Sequence, residues 1–509
     1  MPLAGDMPQP RHPWLGHQWY TASGALVAEA AAGIDAVTVF RHLAGRRHLV
    51  FLDSAMVDAP TETGRTAAAP RLGRYSFVAA DPIHVVEVPA DGDAAALDAA
   101  FARVRGLLGD LACPTIPGLP PFQGGIAGLV AYEAGLVRLG VAAPHDRAGA
   151  VPLLALAVYD VVFAFDHDLA AGWFISQGVP AGGGAARRHR AAERLAALCA
   201  PPATIAPPAA APPAAPLPVR ADHPLPGYPG VRSTHSAASY EAMVAAGIDF
   251  IRAGDVFQVN LAQRFAVATP VDAVTLTLLG RRLNAAPFAA YFDAGPLQVA
   301  SMSPERFLQV TRGVVRMHPI KGTRPVLERP EADLYAGADL GTSGKDRAEN
   351  VMIVDLVRND LSRVCRPETV RVEALCRLER YRYVQHLVSI VAGRLRPGLG
   401  AIDALEAAIP GGSVTGAPKH RACEIIAQLE GVARGCYCGS IGYVGFDGAA
   451  DFNLLIRSFV VAGGGLTFAA GGGITAASQP SAEHAESLHK AEGMLRVLAA
   501  LERTGEPAP

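Results

Sequence analysis

The chain has no surplus of charge: 45 Lys and Arg stand against 47 Asp and Glu, a net of −2. That balance argues against a nucleic-acid binder, which needs a basic face to displace counterions. A cysteine framework is also missing. Cys113, Cys199, Cys365, Cys376, Cys423, Cys436 and Cys438 are odd in number and scattered, with no CxxC or Cys/His cluster. Neither a disulfide scaffold nor structural zinc is supported. No uninterrupted apolar run reaches spanning length, and the start, MPLAGDMPQPRHPW, carries no apolar signal core. A soluble cytoplasmic protein without membrane contact is the expectation. Neither GxxxxGK(S/T) nor GxGxxG occurs, so ATP and dinucleotides are poorly supported.

What is present is length and apolar content. The chain has 509 residues, half of them apolar, enough for a large core or two lobes around one cleft. An amino-terminal lobe is expected over 30–195, with strands at AVTVF (36–40), HLVFLDS (48–54), YSFVAA (75–80) and HVVEV (84–88). A long β-rich run follows at 153–167, and a helix is expected over 96–110. Residues 196–235 hold PPATIAPPAAAPPAAPLPVR, too proline-rich for a helix or a central strand, and read as a linker or loop. A second lobe is expected over 236–503, with helices at 239–254, 343–361, 382–392, 401–408, 417–430 and 480–502. Strands are expected at 255–268, 436–446, 452–462 and 466–470. Long β runs without regular βα alternation indicate an α+β fold of layered sheets.

Four features could carry chemistry. Lys321 sits in HPIKGTRP, a turn-like Gly/Pro segment; such a lysine is ordinarily a surface residue, but in a dry site it loses its proton and becomes a nucleophile. Asp346 and Glu349 lie three apart on a helix whose apolar side is Val351, Ile353, Val354, Val357 and Leu361; Glu483 and Glu486 repeat that spacing on the last helix. Two such pairs facing each other would repel unless a cation intervened, and Mg²⁺ suits that role. GGSVTGAPK (411–419) and AAGGGITAAS (469–478) are glycine-rich turns able to form an anion nest. Arg457 falls inside the apolar strand NLLIRSF, where a buried cation wants a carboxylate. These residues imply a small anionic ligand on Mg²⁺ and do not name a reaction.

The order of SPERF (303–307), PIKGTRP, AENVMIVDLVRND, QHLVS (385–389), GGSVTGAPK, IRSF, GGGI and the final ExxExxHKA resembles that of chorismate-utilising enzymes. Within them the chain resembles the aminodeoxychorismate synthase component I group and is similar to anthranilate synthase component I. The resemblance implies the anthranilate synthase component I-like fold, with large antiparallel sheets around a central cleft and helices outside. It implies that Glu349 and Glu486 hold Mg²⁺ with Asp346 and Glu483 assisting, the metal gripping the ring carboxylate of chorismate. Asp346 departs from the Glu usual there. Arg457, Gly472 and Gly473 would clamp the enolpyruvyl carboxylate, with Ser413 and Tyr437 lining the pocket. Glu305 would protonate the departing C4 hydroxyl, and His386 would sit beside it.

Lys321 is the residue that separates groups in the family. PIKGT implies attack of a neutral Lys321 amine on C2, then displacement by ammonia at C4, giving 4-amino-4-deoxychorismate for para-aminobenzoate and folate synthesis; PIAGT would mark an anthranilate synthase. Gln258 stands where hydrolytic relatives carry a lysine base. The chain has no GxCxG elbow, so a glutamine amidotransferase subunit is the expected ammonia source, and a separate lyase would complete para-aminobenzoate. Asp53 and NAAPF (284–288) depart from the family's tryptophan-pocket patterns.

Overall fold

The computed structural model describes residues 11–54, 73–144, 151–201, 221–268, 271–325, 343–380 and 384–504. Most of the proline segment lies outside them. Two antiparallel sheets, one of fourteen strands and one of ten, form the centre of the molecule. Their facing sides meet in a dry core that includes Phe77, Val162 and Phe292 from the larger sheet and Leu129, Tyr159 and Tyr443 from the smaller. Helices Ala94–Asp110, Gly344–Ser362 and Ala401–Ala408 cover the outer face of the smaller sheet. Helices Ala36–His42, Gly184–Cys199, Ala273–Leu283 and Pro480–Thr504 cover that of the larger. This is the layered α+β arrangement expected from the sequence, since each sheet must bury two apolar faces. Both sheets take strands from both halves of the chain: Val50–Asp53 pairs with Phe288–Asp293, and Gly125–Val130 with Ser440–Gly445.

The chain crosses between the sheets at three informative places. The apolar run at 153–167 is two strands, Leu154–Tyr159 in the small sheet and Val161–Asp166 in the large one. They are divided at fully buried Asp160, which Arg194 grips through both carboxylate oxygens. Strand Gln298–Ser303 of the large sheet passes to Arg306–Thr311 of the small one through Pro304 and Glu305. Strand Ala450–Asn453 passes back to Ser458–Ala462 through residues 454–457. The second and third crossings run side by side: Leu454 N donates to Glu305 O at 3.1 Å, and Met302 N to Arg457 O at 3.0 Å.

Several local expectations are corrected. AVTVF is helical, not extended: Asp35 caps Thr38 N at 2.7 Å, and Ala36, Val39 and Phe40 share the buried face. The cap and the i, i+3, i+4 spacing outweigh the β-branched composition. The segment read as a helix over 382–392 is strand Val384–Arg394, paired with strands on its edges and with 385–389 all buried, so both of its faces are covered. Lys321 lies in strand Ile320–Pro325 rather than a turn; its bulge falls at Gly322, where φ is +73°. GGGI is strand as well, the last part of Gly465–Ile474, so it forms no nest. Arg457 is outside any strand, at a crossing, with φ of +52°. Val351 points away from the helix's buried side and is 43% exposed.

Candidate active site

The seam between the sheets collects most of the candidate residues. Lys321 Nζ donates to Ser413 O at 3.0 Å. Ser413 Oγ in turn donates to Glu305 Oε1 at 2.8 Å, so one residue of the Gly412–Val414 turn touches both the lysine and the crossing glutamate. Desolvation pulls the Lys321 ammonium below its ordinary range; Glu349 opposes this, Lys490 adds to it, and Glu305 and Glu486 oppose it. Glu305 is 5% exposed. Burial lifts its carboxyl to about 7, against the Ser413 hydroxyl, the nearby Lys321 and the Ile320 N–H. An acid and an amine thus stand side by side, both displaced toward neutrality, as proton transfer near pH 7 requires.

His386 faces Lys321's strand from the next one, and its ring donates to the Gly322 backbone. Burial, helped by Arg457, pushes the imidazole down to about 3. It is therefore neutral at working pH, a hydrogen-bond donor and not an imidazolium acid. Arg457 itself is held below the usual guanidinium range by burial alone, with no carboxylate among the described residues to offset it. A desolvated guanidinium of that kind is an anion site.

Strand Gly465–Ile474 explains why glycine recurs. A Cβ on Gly473 would sit 1.9 Å from Gln258 Nε2 and 3.6 Å from Lys321 Nζ. One on Gly472 would sit 3.0 Å from Glu483 Oε2, 3.6 Å from Glu486 Oε1 and 3.7 Å from Lys490 Nζ. The two glycines keep space open between the strand, the lysines and the acidic pair on the last helix. Gln258, paired from strand Gln258–Val267, is 1% exposed, and its Oε1 has no hydrogen-bond partner. The atom that side chain brings against Gly473 is its Nε2.

The two acidic pairs converge in part. Glu349 and Glu486 both act on the Lys321 ammonium, so both helices bring a carboxylate near it. Glu483 is buried and accepts from Ser478 Oγ at 2.6 Å. Asp346 lies in the first turn of its helix, its N–H taken by Ser343 Oγ. Among the described residues no three His, Cys, Asp or Glu are grouped closely enough to hold a metal ion as they stand. The donors are nonetheless all hard carboxylate oxygens, and a cation already lies among them: Lys490 Nζ is 2.8 Å from Glu486 Oε1 and 3.0 Å from Gly471 O. The donor set fits Mg²⁺ chemically. Sequence alone does not single out Lys490, because Glu486 and Lys490 read as an ordinary i, i+4 surface pair.

Tyr437 is partly buried and 5.6 Å from the Arg434 guanidinium. It lines a small cavity of about 20 Å³ with Arg264, Arg434, Ser458 and Thr467, room for one water-sized molecule. Asp53, which departs from the family's tryptophan-pocket pattern, is occupied by Arg281 Nε at 2.8 Å and Ser76 Oγ at 2.7 Å. No helix among the described residues is long and apolar enough to cross a membrane.

A desolvated amine, an acid lifted toward neutrality and a desolvated guanidinium gather where the two sheets meet. The profile of chorismate binding enzymes matches residues 62–496, and the chain belongs to that family. It is 37% identical over 467 residues to anthranilate synthase component 1 of Streptomyces coelicolor, covering 91% of this chain and 86% of that one. It is 39% identical over 378 residues to aminodeoxychorismate synthase component 1 of Klebsiella aerogenes, covering 74% and 78%. The crystal structure of anthranilate synthase component I from Streptococcus pneumoniae superposes with a TM-score of 0.68 at 28% identity, over 86% of this chain and 95% of that one.

Proposed function

We propose that this chain aminates chorismate at C4, using ammonia from a glutamine amidotransferase subunit, and yields 4-amino-4-deoxychorismate. The observation that carries the reading is Lys321: a desolvated primary amine, its hydrogen bond directed to Ser413 O, beside a protonatable Glu305. Neutral Lys321 attacks C2 of the ring, the double bond shifts, and the C4 hydroxyl leaves as water with the proton of Glu305. Ammonia then attacks C4, the electrons return, and Lys321 is released. His386, neutral and with its one N–H spent on the Gly322 backbone, would sit beside the leaving oxygen as an acceptor. Gln258 is an amide and offers no base to activate water, which favours ammonia.

Glu349 and Glu486, with Asp346 and Glu483, would hold Mg²⁺, whose charge would anchor the ring carboxylate. Arg457 would take the enolpyruvyl carboxylate, with Gly472 and Gly473 leaving room for it and Ser413 and Tyr437 lining the pocket. Arg457→Lys keeps the charge but loses the fork, and is expected to raise the KM for chorismate by about ten- to a hundredfold with a smaller change in kcat. Steady-state kinetics with ammonium check this; an unchanged KM would remove Arg457 from the carboxylate site.

The second reading is anthranilate synthase component I, which the relative spanning 91% of the chain favours. The two readings differ in product. Chorismate, Mg²⁺ and ammonium are incubated with the chain, with and without an added lyase, and products are resolved by mass. Aminodeoxychorismate, converted to para-aminobenzoate only when the lyase is present, is the expected result. Release of pyruvate with anthranilate, lyase or not, would establish the second reading.

A further inference from the structure

Arg434 is 4% exposed and lies outside the reacting cluster. Its guanidinium nevertheless reaches several segments that build that cluster. One terminal nitrogen donates to Val414 O at 2.8 Å, in the turn that carries Ser413. The other donates to Asn260 O at 2.7 Å, on the strand that carries Gln258. Both Glu430 oxygens clamp the fork, at 2.9 Å to Nε and 2.6 Å to the second terminal nitrogen. Tyr132 and Tyr437 lie over the guanidinium at 4.8 and 5.6 Å. The backbone is fixed from the other half of the chain: Arg434 N and Gly435 N donate to the two oxygens of Glu133 at 2.7 and 2.8 Å.

We infer that Arg434, held by Glu133 and Glu430, is a positioning residue that sets the Ser413 turn so that Lys321 and Glu305 are aligned on the substrate. Ser413 touches both reacting groups, through its carbonyl and its hydroxyl, and Val414 is the next residue. A planar fork can serve Val414, Asn260 and Glu430 together; a lysine ammonium on a flexible stem cannot meet all three directions. The alignment, and not the charge, is what the arginine supplies. This inference rests on the assignment of Lys321 and Glu305 as the reacting groups.

The test is chorismate consumption with ammonium and Mg²⁺, whichever product forms, for the full chain and for Arg434→Lys. The expected result is a kcat lower by about ten- to a hundredfold, the scale of an ångström-sized misplacement, with the KM for chorismate within about threefold. Glu133→Gln, which removes one of two backbone acceptors and leaves the guanidinium in place, is expected to lower kcat in the same sense but less, and it reports if Arg434→Lys does not fold. Thermal midpoints are recorded for each. Folded variants that melt earlier yet keep the wild-type kcat, or that change KM alone, would overturn the inference and leave Arg434 as a structural residue. A wild-type chain that consumes no chorismate would remove the functional reading and this inference together, whereas an active wild type with undiminished variants removes only the inference.

Discussion

Lys321→Ala is expected to lower ammonium-dependent turnover of chorismate by about three orders of magnitude while leaving chorismate binding within a few-fold. The reason is geometric before it is electrostatic. The strand Ile320–Pro325 carries the amine into the seam, the Gly322 bulge turns the chain there, and Gly473 leaves the facing wall open. Desolvation then lowers the cost of the neutral form, and the like charge of Lys490 works in the same direction. Removing a nucleophile that forms a covalent intermediate takes away a whole route, not a fraction of one barrier. On the proposed roles Arg457 and the acidic pairs would still bind substrate, so KM and kcat should separate. Turnover of Lys321→Ala within a few-fold of wild type would show that ammonia attacks chorismate directly.

Glu305→Gln is expected to cost about two to four orders of magnitude in kcat, the range for a positioned general acid. It should also change the shape of the pH profile. In the wild type the productive form has Glu305 protonated, with a carboxyl lifted to about 7, and Lys321 neutral, with an ammonium depressed below its usual range. At low pH both are protonated and the amine is lost; at high pH both are deprotonated and the acid is lost. The profile is therefore a bell, and its two apparent constants belong to the pair. In Glu305→Gln the acid never titrates, so the high-pH descent should vanish and residual activity should rise with pH to a plateau. A bell of unchanged width in the variant would exclude Glu305 as the acid.

The layering is legible in the sequence because long apolar β runs and amphipathic helices each demand a covered face. Motif order is legible too, and it groups Lys321, Glu305, Ser413 and the acidic pairs without any geometry. The role of the crossings is not. Glu305 and Arg457 each lie where the chain leaves one sheet for the other, and the two passages hydrogen-bond side by side. Local pattern sees only a short polar interruption there. The segment at 382–392 imitates a helix because a strand buried on both faces has no alternation in its apolar run. GGGI misleads for a related reason: glycine usually marks a turn, but here it marks a strand that must leave room for Lys321, Glu483 and Glu486. Lys490 and Arg434 escape a sequence reading because Glu486–Lys490 and Glu430–Arg434 read as ordinary i, i+4 pairs, while their other partners are distant backbone carbonyls.

The most direct measurement is peptide-resolved mass spectrometry of the chain mixed with chorismate and Mg²⁺ in the absence of any ammonia source, quenched in acid. An adduct of chorismate less one water is expected, located on Lys321 and discharged when ammonium is added before the quench. A chain that turns over chorismate once ammonium is supplied, yet carries no adduct on Lys321 at any quench time, would rule out the covalent route.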